Sequence, residues 1–200
     1  MPFTKREVEL MLAACDRGKT YTRPGKRACA NGRPTALRGR AILMLLTDTG
    51  LRATELCSLA TRDTDFKNHR ILILGKGKKE RHVRISPRTE QAIWRYLATR
   101  PEARPTDPLF ATSDGLPMER NILLRMTHRV GERAGVEDAQ PHRFRHTFAV
   151  MFLRNGGNIF ELKEMLGHGS LEMVNYYLHL AQIDLDRAHQ DASPVMNWLL

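Results

Sequence analysis

The sequence predicts a mainly α-helical domain carrying one small antiparallel β-sheet, an α+β fold, and three observations lead there. Apolar residues recur at helical spacing through most of the chain. One stretch, between about residues 69 and 86, turns instead to runs of β-branched residues around a turn-rich KGKK. Helix-start residues and glycines punctuate the periodic segments at their ends.

Taken in order, TKREVELMLAAC (4–15) reads as a helix with Thr4 as N-cap, Glu7 completing a capping box, and Val8, Met11 and Leu12 along one face. Residues 17–40 hold Gly18, Pro24, Gly25, Gly32 and Pro34 and read as a loop or excursion. Helix resumes near Leu37 and runs to Gly50, a C-terminal cap, and a short helix follows from about Ala53 to Leu59. HRILILG and ERHVRIS form the hairpin. Ser86 as N-cap and Pro87 at the first helical position start a helix to Thr99. Further helices fit 119–134, closed by Gly135, then 141–155, and 158–166, closed by Gly167 with Asn158 and Glu161 as a second capping box. Two last helices fit 170–180 and 183–191.

A chain of 200 residues buries roughly 70% of the surface it exposes unfolded, enough for a core without staples. No apolar run approaches the roughly 20 residues needed to cross a bilayer, and the charged start lacks a signal peptide's apolar stretch, so the expectation is a cytoplasmic protein with no membrane partner. Cys15, Cys29 and Cys57 are an odd count without CxxC spacing, which supports neither a disulfide framework nor zinc. Charge says more. The net charge is +10, and residues 17–40 carry eight basic residues with no acid, while 67–88 carry eight with only Glu80. These two stretches hold more than the whole excess, and a focused positive field attracts polyanions, either nucleic acid or an acidic membrane surface.

Singly, the polar residues are ambiguous. Arg52 precedes a helix, where it can pair with an acid such as Glu55. Lys76 sits in a glycine-flanked hairpin tip, where lysines are commonly solvated. His142 and Arg145 lie on one side of their helix, and Phe144, Phe148, Met151 and Phe152 form another stripe expected to face the core, leaving the first pair pointed away. His142 and His146 have zinc-like spacing, but position 143 is Arg where a metalloprotease helix has Glu, so no metal is expected.

The order of the segments is more specific. TGLRATEL around Arg52, GKGKKERHV around Lys76, HRFRHTFA around His142 and Arg145, and LGHGSLEMVNYY ending at Tyr177 closely resemble the four catalytic segments of tyrosine recombinases, the phage integrase and Xer-like enzymes. The resemblance spans nearly the whole chain and implies a catalytic-domain fold of that family. Carried over position by position, it implies an active site of Arg52, Lys76, His142, Arg145, His168 and Tyr177, with Glu55 matching the family's buried acid or remaining a solvated helix carboxylate. Helical periodicity alone does not separate Tyr176 from Tyr177; the family spacing from His168 selects Tyr177.

The chemistry needs such residues. A phosphodiester under attack gathers negative charge on its equatorial oxygens, which suits the guanidinium forks of Arg52 and Arg145. With an ordinary tyrosine pKa near 10, only about one phenol in a thousand is ionised at pH 7, so Tyr177 needs a base, for which His142 is suited. Lys76 can protonate the departing 5′ oxygen, and His168 can hydrogen-bond the phosphate or position Arg145. A phosphotyrosine link keeps the bond energy for religation, so no cofactor is implied.

The resemblance further implies double-stranded DNA as partner, with Arg23, Lys26, Arg27, Lys78, Lys79 and Arg81 expected at its backbone, and a homotetramer on DNA. The whole of 1–200 is expected to be one catalytic domain, a core over 1–182 followed by a helix and tail at 183–200 that neighbouring subunits exchange. Family members usually carry a helical domain before the catalytic one, and because this sequence begins almost where the catalytic domain would, the expectation is an excised domain or a truncated gene product. A type IB topoisomerase-like enzyme and an inactive DNA-binding module are the alternatives.

Overall fold

The computed structural model describes residues 1–21, 29–32, 35–75, 80–167 and 176–178 together with Ser193 and Val195; of 17–21 and 29–32 it describes the backbone alone. The chain divides into two compact units, Met1–Phe148 and Ala149–Leu200.

In the first unit, α1 (Lys5–Asp16) starts as its local chemistry dictates: Glu7 Oε2 accepts from the Thr4 N–H at 2.7 Å while Thr4 Oγ1 accepts from the Glu7 N–H at 3.2 Å. Residues 17–40, expected as a loop, instead contain two antiparallel strands, β1 (Arg17–Tyr21) and β2 (Cys29–Gly32), paired Tyr21↔Cys29 and Thr20↔Ala30 with an irregularity before Arg17↔Gly32.

Helix α2 (Ala36–Thr49) is the centre of the core: Ala41, Ile42, Leu43, Leu45 and Leu46 are fully buried, with α1 and α4 packed against them. A helix apolar on nearly every side must be buried, and each such large side chain contributes about 1.5–3 kcal/mol. It stops at Gly50, whose φ of 60° is a left-handed cap and whose N–H donates to Leu46 O. The chain then turns into α3 (Ala53–Ser58).

The sheet has three strands, not the two expected: β3 (Thr64–Asp65) flanks β4 (Arg70–Leu74), which pairs with β5 (Glu80–Arg84). A two-residue strand carries no period that a sequence can display. Ile71 and Val83 are cross-strand partners and both buried; Ile73 is buried opposite Arg81. Because strand side chains alternate faces, Arg81 shares the inner face with Val83. Asp48 Oδ2 accepts from the Ser86 N–H at 2.6 Å, tying the sheet's exit to the end of α2. There α4 (Pro87–Leu97) begins, with Ser86 Oγ accepting from the Thr89 N–H.

Helix α5 (Arg120–Ala134) closes on Gly135 at φ 66° and leads into α6 (Pro141–Arg154). The start of α6 is pinned to the N-terminus of the chain: Thr147 Oγ1 accepts from the Phe3 N–H at 2.7 Å, and Arg143 lies 4.0 Å over the Phe3 ring while its Nη2 meets Glu7 at 2.8 Å. In the second unit α7 (Ile159–Leu166) is capped by Asn158, whose side chain accepts from the Phe160 N–H rather than completing the expected box with Glu161, and ends at Gly167. Of the expected 170–180 helix, residues 176–178 are described and helical; 183–191 lies outside the described residues. No described helix is long and apolar enough to cross a membrane.

Candidate active site

The site in the first unit is built on the turn between α2 and α3. Gly50 ends one helix, and Arg52, with φ −69° and ψ 150°, stands at the N-cap of the next. One turn on, Glu55 is 5% exposed, and its carboxylate is the hub of the turn. Oε2 accepts from the Arg52 backbone N–H at 2.9 Å and Oε1 from the Arg52 guanidinium at 3.1 Å. Arg81 meets the same two oxygens with both terminal nitrogens, each at 2.9 Å. Burial alone would raise the pKa of Glu55; the Arg81 hydrogen bonds, the Arg52 N–H and the charges of both arginines outweigh it and hold the carboxyl below its ordinary value of 4.5. Glu55 is therefore a buried, ionised acid, and not a solvated one.

Arg145 enters the same turn from α6. Its side chain was expected to point away from the core, yet the residue is 4% exposed, and Nη1 donates to Gly50 O at 2.8 Å. A buried guanidinium is tolerated where acceptors meet it, and helix α2 ends in carbonyls without an intrahelical partner. Met151, expected in the core stripe, is 41% exposed, because one turn beyond Phe148 the buried side of α6 has rotated onto Ala149, Val150 and Leu153. Two arginines distant in sequence thus converge on Gly50–Arg52, and the Arg52 side chain remains 38% exposed.

His142 is exposed at the first turn of α6. Its ring stands edge-on to His146, centroids 4.2 Å apart and planes at 78°. Burial, the neighbouring His142, the chain's N-terminal charge and Arg145 together hold His146 below its ordinary pKa of 6.5. The sequence reading weighed His146 only as a possible zinc ligand. In the second unit, Tyr177 is 4% exposed and Tyr176 56% exposed, with ring centroids 5.7 Å apart. Burial separates the two tyrosines that periodicity did not.

Lys76 and His168 lie outside the described residues, as do Arg23, Lys26, Arg27, Lys78 and Lys79. Of the residues expected at the DNA backbone only Arg81 is described, and it is turned to Glu55. Burial pushes the Cys57 thiol up to about 11, which leaves it protonated at neutral pH. A cavity of about 450 Å³ lined by Arg38, Arg125, Arg129 and Arg133 contains none of the site residues.

Residues 3–183 match the phage integrase family. The chain belongs to that family. Among its relatives, the tyrosine recombinase XerC of Pelobacter propionicus is 38% identical over 159 residues, covering 79% of this chain and 53% of the relative. XerC of Bifidobacterium longum is 33% identical over 190 residues, 90% of this chain and 54% of the relative. The chain therefore spans about half the length of these curated relatives. The crystal structure of a XerA recombinase superposes with a TM-score of 0.75 at 27% identity, over 97% of this chain and 64% of that one. The XerH site-specific recombinase bound to a palindromic difH substrate, a post-cleavage complex, gives 0.74 at 26% identity, over 95% of this chain and 52% of that one. The mainly helical architecture with its small three-stranded sheet is thus that of this family's catalytic domains.

Proposed function

We propose that this phage integrase family chain is the catalytic part of a site-specific recombinase that cuts and rejoins double-stranded DNA by transesterification. The observation that carries the reading is the convergence of Arg145 and Arg52 on one turn, braced by a buried ionised Glu55. Two guanidinium groups at one place form a preorganised clamp for the charge of a phosphoryl transition state.

In the proposed reaction the Tyr177 oxygen attacks the scissile phosphorus while His142 accepts the phenolic proton. A bond forms between Tyr177 and phosphorus; the bond to the 5′ oxygen breaks, and Lys76 protonates that oxygen as it leaves. Arg52 and Arg145 hold the non-bridging oxygens, and His168 hydrogen-bonds the phosphate or positions Arg145. The products are a 3′-phosphotyrosine and a free 5′ hydroxyl. Religation is the reverse: a 5′ hydroxyl attacks, and Tyr177 recovers its proton. The XerH complex with its DNA substrate supports duplex DNA as the partner here, as does the basic balance of 17–40 and 67–88. On DNA the subunits form a tetramer and pass the apolar tail containing Val195, Met196, Trp198, Leu199 and Leu200 to a neighbour, a head-to-tail contact that closes into a ring.

The test is a pool of nicked suicide duplexes of randomised sequence, incubated with the chain and resolved in detergent. A covalent, protease-sensitive protein and DNA adduct is expected. Saturated binding with no adduct would overturn the assignment.

A further inference from the structure

Among the described residues of the second basic stretch, Arg81 is the one whose side chain meets Glu55. Its position explains why. In β5 it is two residues before Val83, on the strand's inner face, and its cross-strand partner is the fully buried Ile73. A cation placed there must find an anion, and Glu55 is the acid that meets it: Nη1 to Oε1 and Nη2 to Oε2, both 2.9 Å, with the Arg81 side chain 15% and the Glu55 side chain 6% exposed. Each carboxylate oxygen also accepts one bond from Arg52. The fork therefore joins the β4–β5 ladder, one pair from the end where the two strands connect, to the turn that carries Arg52. Lys76 belongs to the connection between those strands, five residues before Arg81 in the chain.

We propose that Arg81 is a positioning residue rather than a DNA contact: its two-pronged bond to Glu55 fixes the lysine hairpin against the Arg52 turn, so that Lys76 meets the leaving oxygen. The inference rests on the reading of Lys76 as the general acid. A planar fork is required, since only a guanidinium matches both carboxylate oxygens at once, and lysine supplies a single point of attachment.

Leaving-group chemistry separates this role from a merely structural one. A bridging 5′ sulfur leaves as a thiolate and needs no proton, so a defect confined to proton delivery vanishes on that substrate. The duplex recovered from the covalent adduct would be synthesised with oxygen or sulfur at the scissile 5′ position and cleaved by the parent chain and by Lys76→Ala, Arg52→Ala, Arg81→Lys and Arg81→Gln. Arg81→Lys and Arg81→Gln are expected to slow single-turnover cleavage of the oxygen substrate by about 10- to 100-fold and to come within about threefold of the parent on the sulfur substrate. Lys76→Ala should recover likewise, and Arg52→Ala should not. Thermal melts of the two Arg81 variants identify any unfolding, and Arg81→Lys keeps the charge if Arg81→Gln does not fold. Equal defects on both substrates, or no defect on either, would overturn the role of Arg81. Failure of Lys76→Ala to recover would instead overturn the reading of Lys76, and a parent without adduct would overturn the recombinase assignment, and the inference falls with each.

Discussion

Arg145 donates from Nη1 to the carbonyl of Gly50 at 2.8 Å, across 95 residues of sequence. The bond satisfies a helix-end carbonyl and draws a buried guanidinium to the turn that presents Arg52. One contact thereby serves both the fold and the proposed anion clamp, and this dual use sets the first prediction.

Arg145→Ala and Arg52→Ala should each slow single-turnover cleavage by about 100- to 1,000-fold, the usual loss for one preorganised donor. Arg145→Ala should also lower stability by about 1–3 kcal/mol, because Gly50 O is left without that donor. Arg52, more exposed, should cost less. Denaturant titration beside the kinetics separates the two effects; rates within about threefold of the parent would remove both residues from the clamp.

The site should also weaken the fold in acid. Glu55 has a folded pKa below 4.5, so its stabilisation is present above that value and is lost as pH falls through the folded value. His146 lies below 6.5 when folded, so from 6.5 downward the unfolded chain takes up the proton first and stability declines toward the folded pKa. Both effects have the same sign. His146→Phe should flatten the upper limb of a stability profile, and Glu55→Gln the limb under 4.5, while Glu55→Gln also lowers stability at neutral pH by leaving Arg81 with an uncharged partner. A profile unchanged by both substitutions would contradict these assignments.

Binding to DNA should be strongly salt-dependent, because neutralised phosphates release counterions. Lys78→Ala and Lys79→Ala are each expected to reduce the slope of log affinity against log salt by about one. Arg81→Gln should leave the slope unchanged, since its guanidinium is turned to Glu55. Titration between about 50 and 200 mM salt reads all three. A flat dependence in the parent would refute the electrostatic interface.

Gly131 tests how α6 is placed. A Cβ there would stand 2.4 Å from Ala139 Cβ and 2.7 Å from Val136 O, so the connection into α6 must shift. Gly131→Ala should cost about 1–3 kcal/mol by overpacking. A thermal melt matching the parent would show that the connection gives way freely.

How much of this was legible varies with the range of the interaction. The helices were readable because their ends are written locally: Thr4 with Glu7, Ser86 with Pro87, and Gly50, Gly135 and Gly167 at left-handed caps. The residues proposed to react came from the resemblance, because the chemistry proposed for them ties identity to spacing. The direction of Arg145 was not readable, since counting apolar residues around α6 ignores an acceptor on a distant helix end. Strands β1 and β2 were hidden by the glycines and prolines around them. The role of Arg81 was available and overlooked: Arg81, Val83 and Ile85 alternate on one face, and an arginine in such a row signals a buried acid.

The most direct test of the central claim is the identity of the tyrosine that joins DNA. On a nicked suicide duplex, Tyr177→Phe should abolish the covalent adduct while leaving binding nearly unchanged, Tyr176→Phe should keep it, and peptide mapping of the parent adduct should place the nucleotide on Tyr177. An adduct that persists in Tyr177→Phe and disappears in Tyr176→Phe would contradict the account.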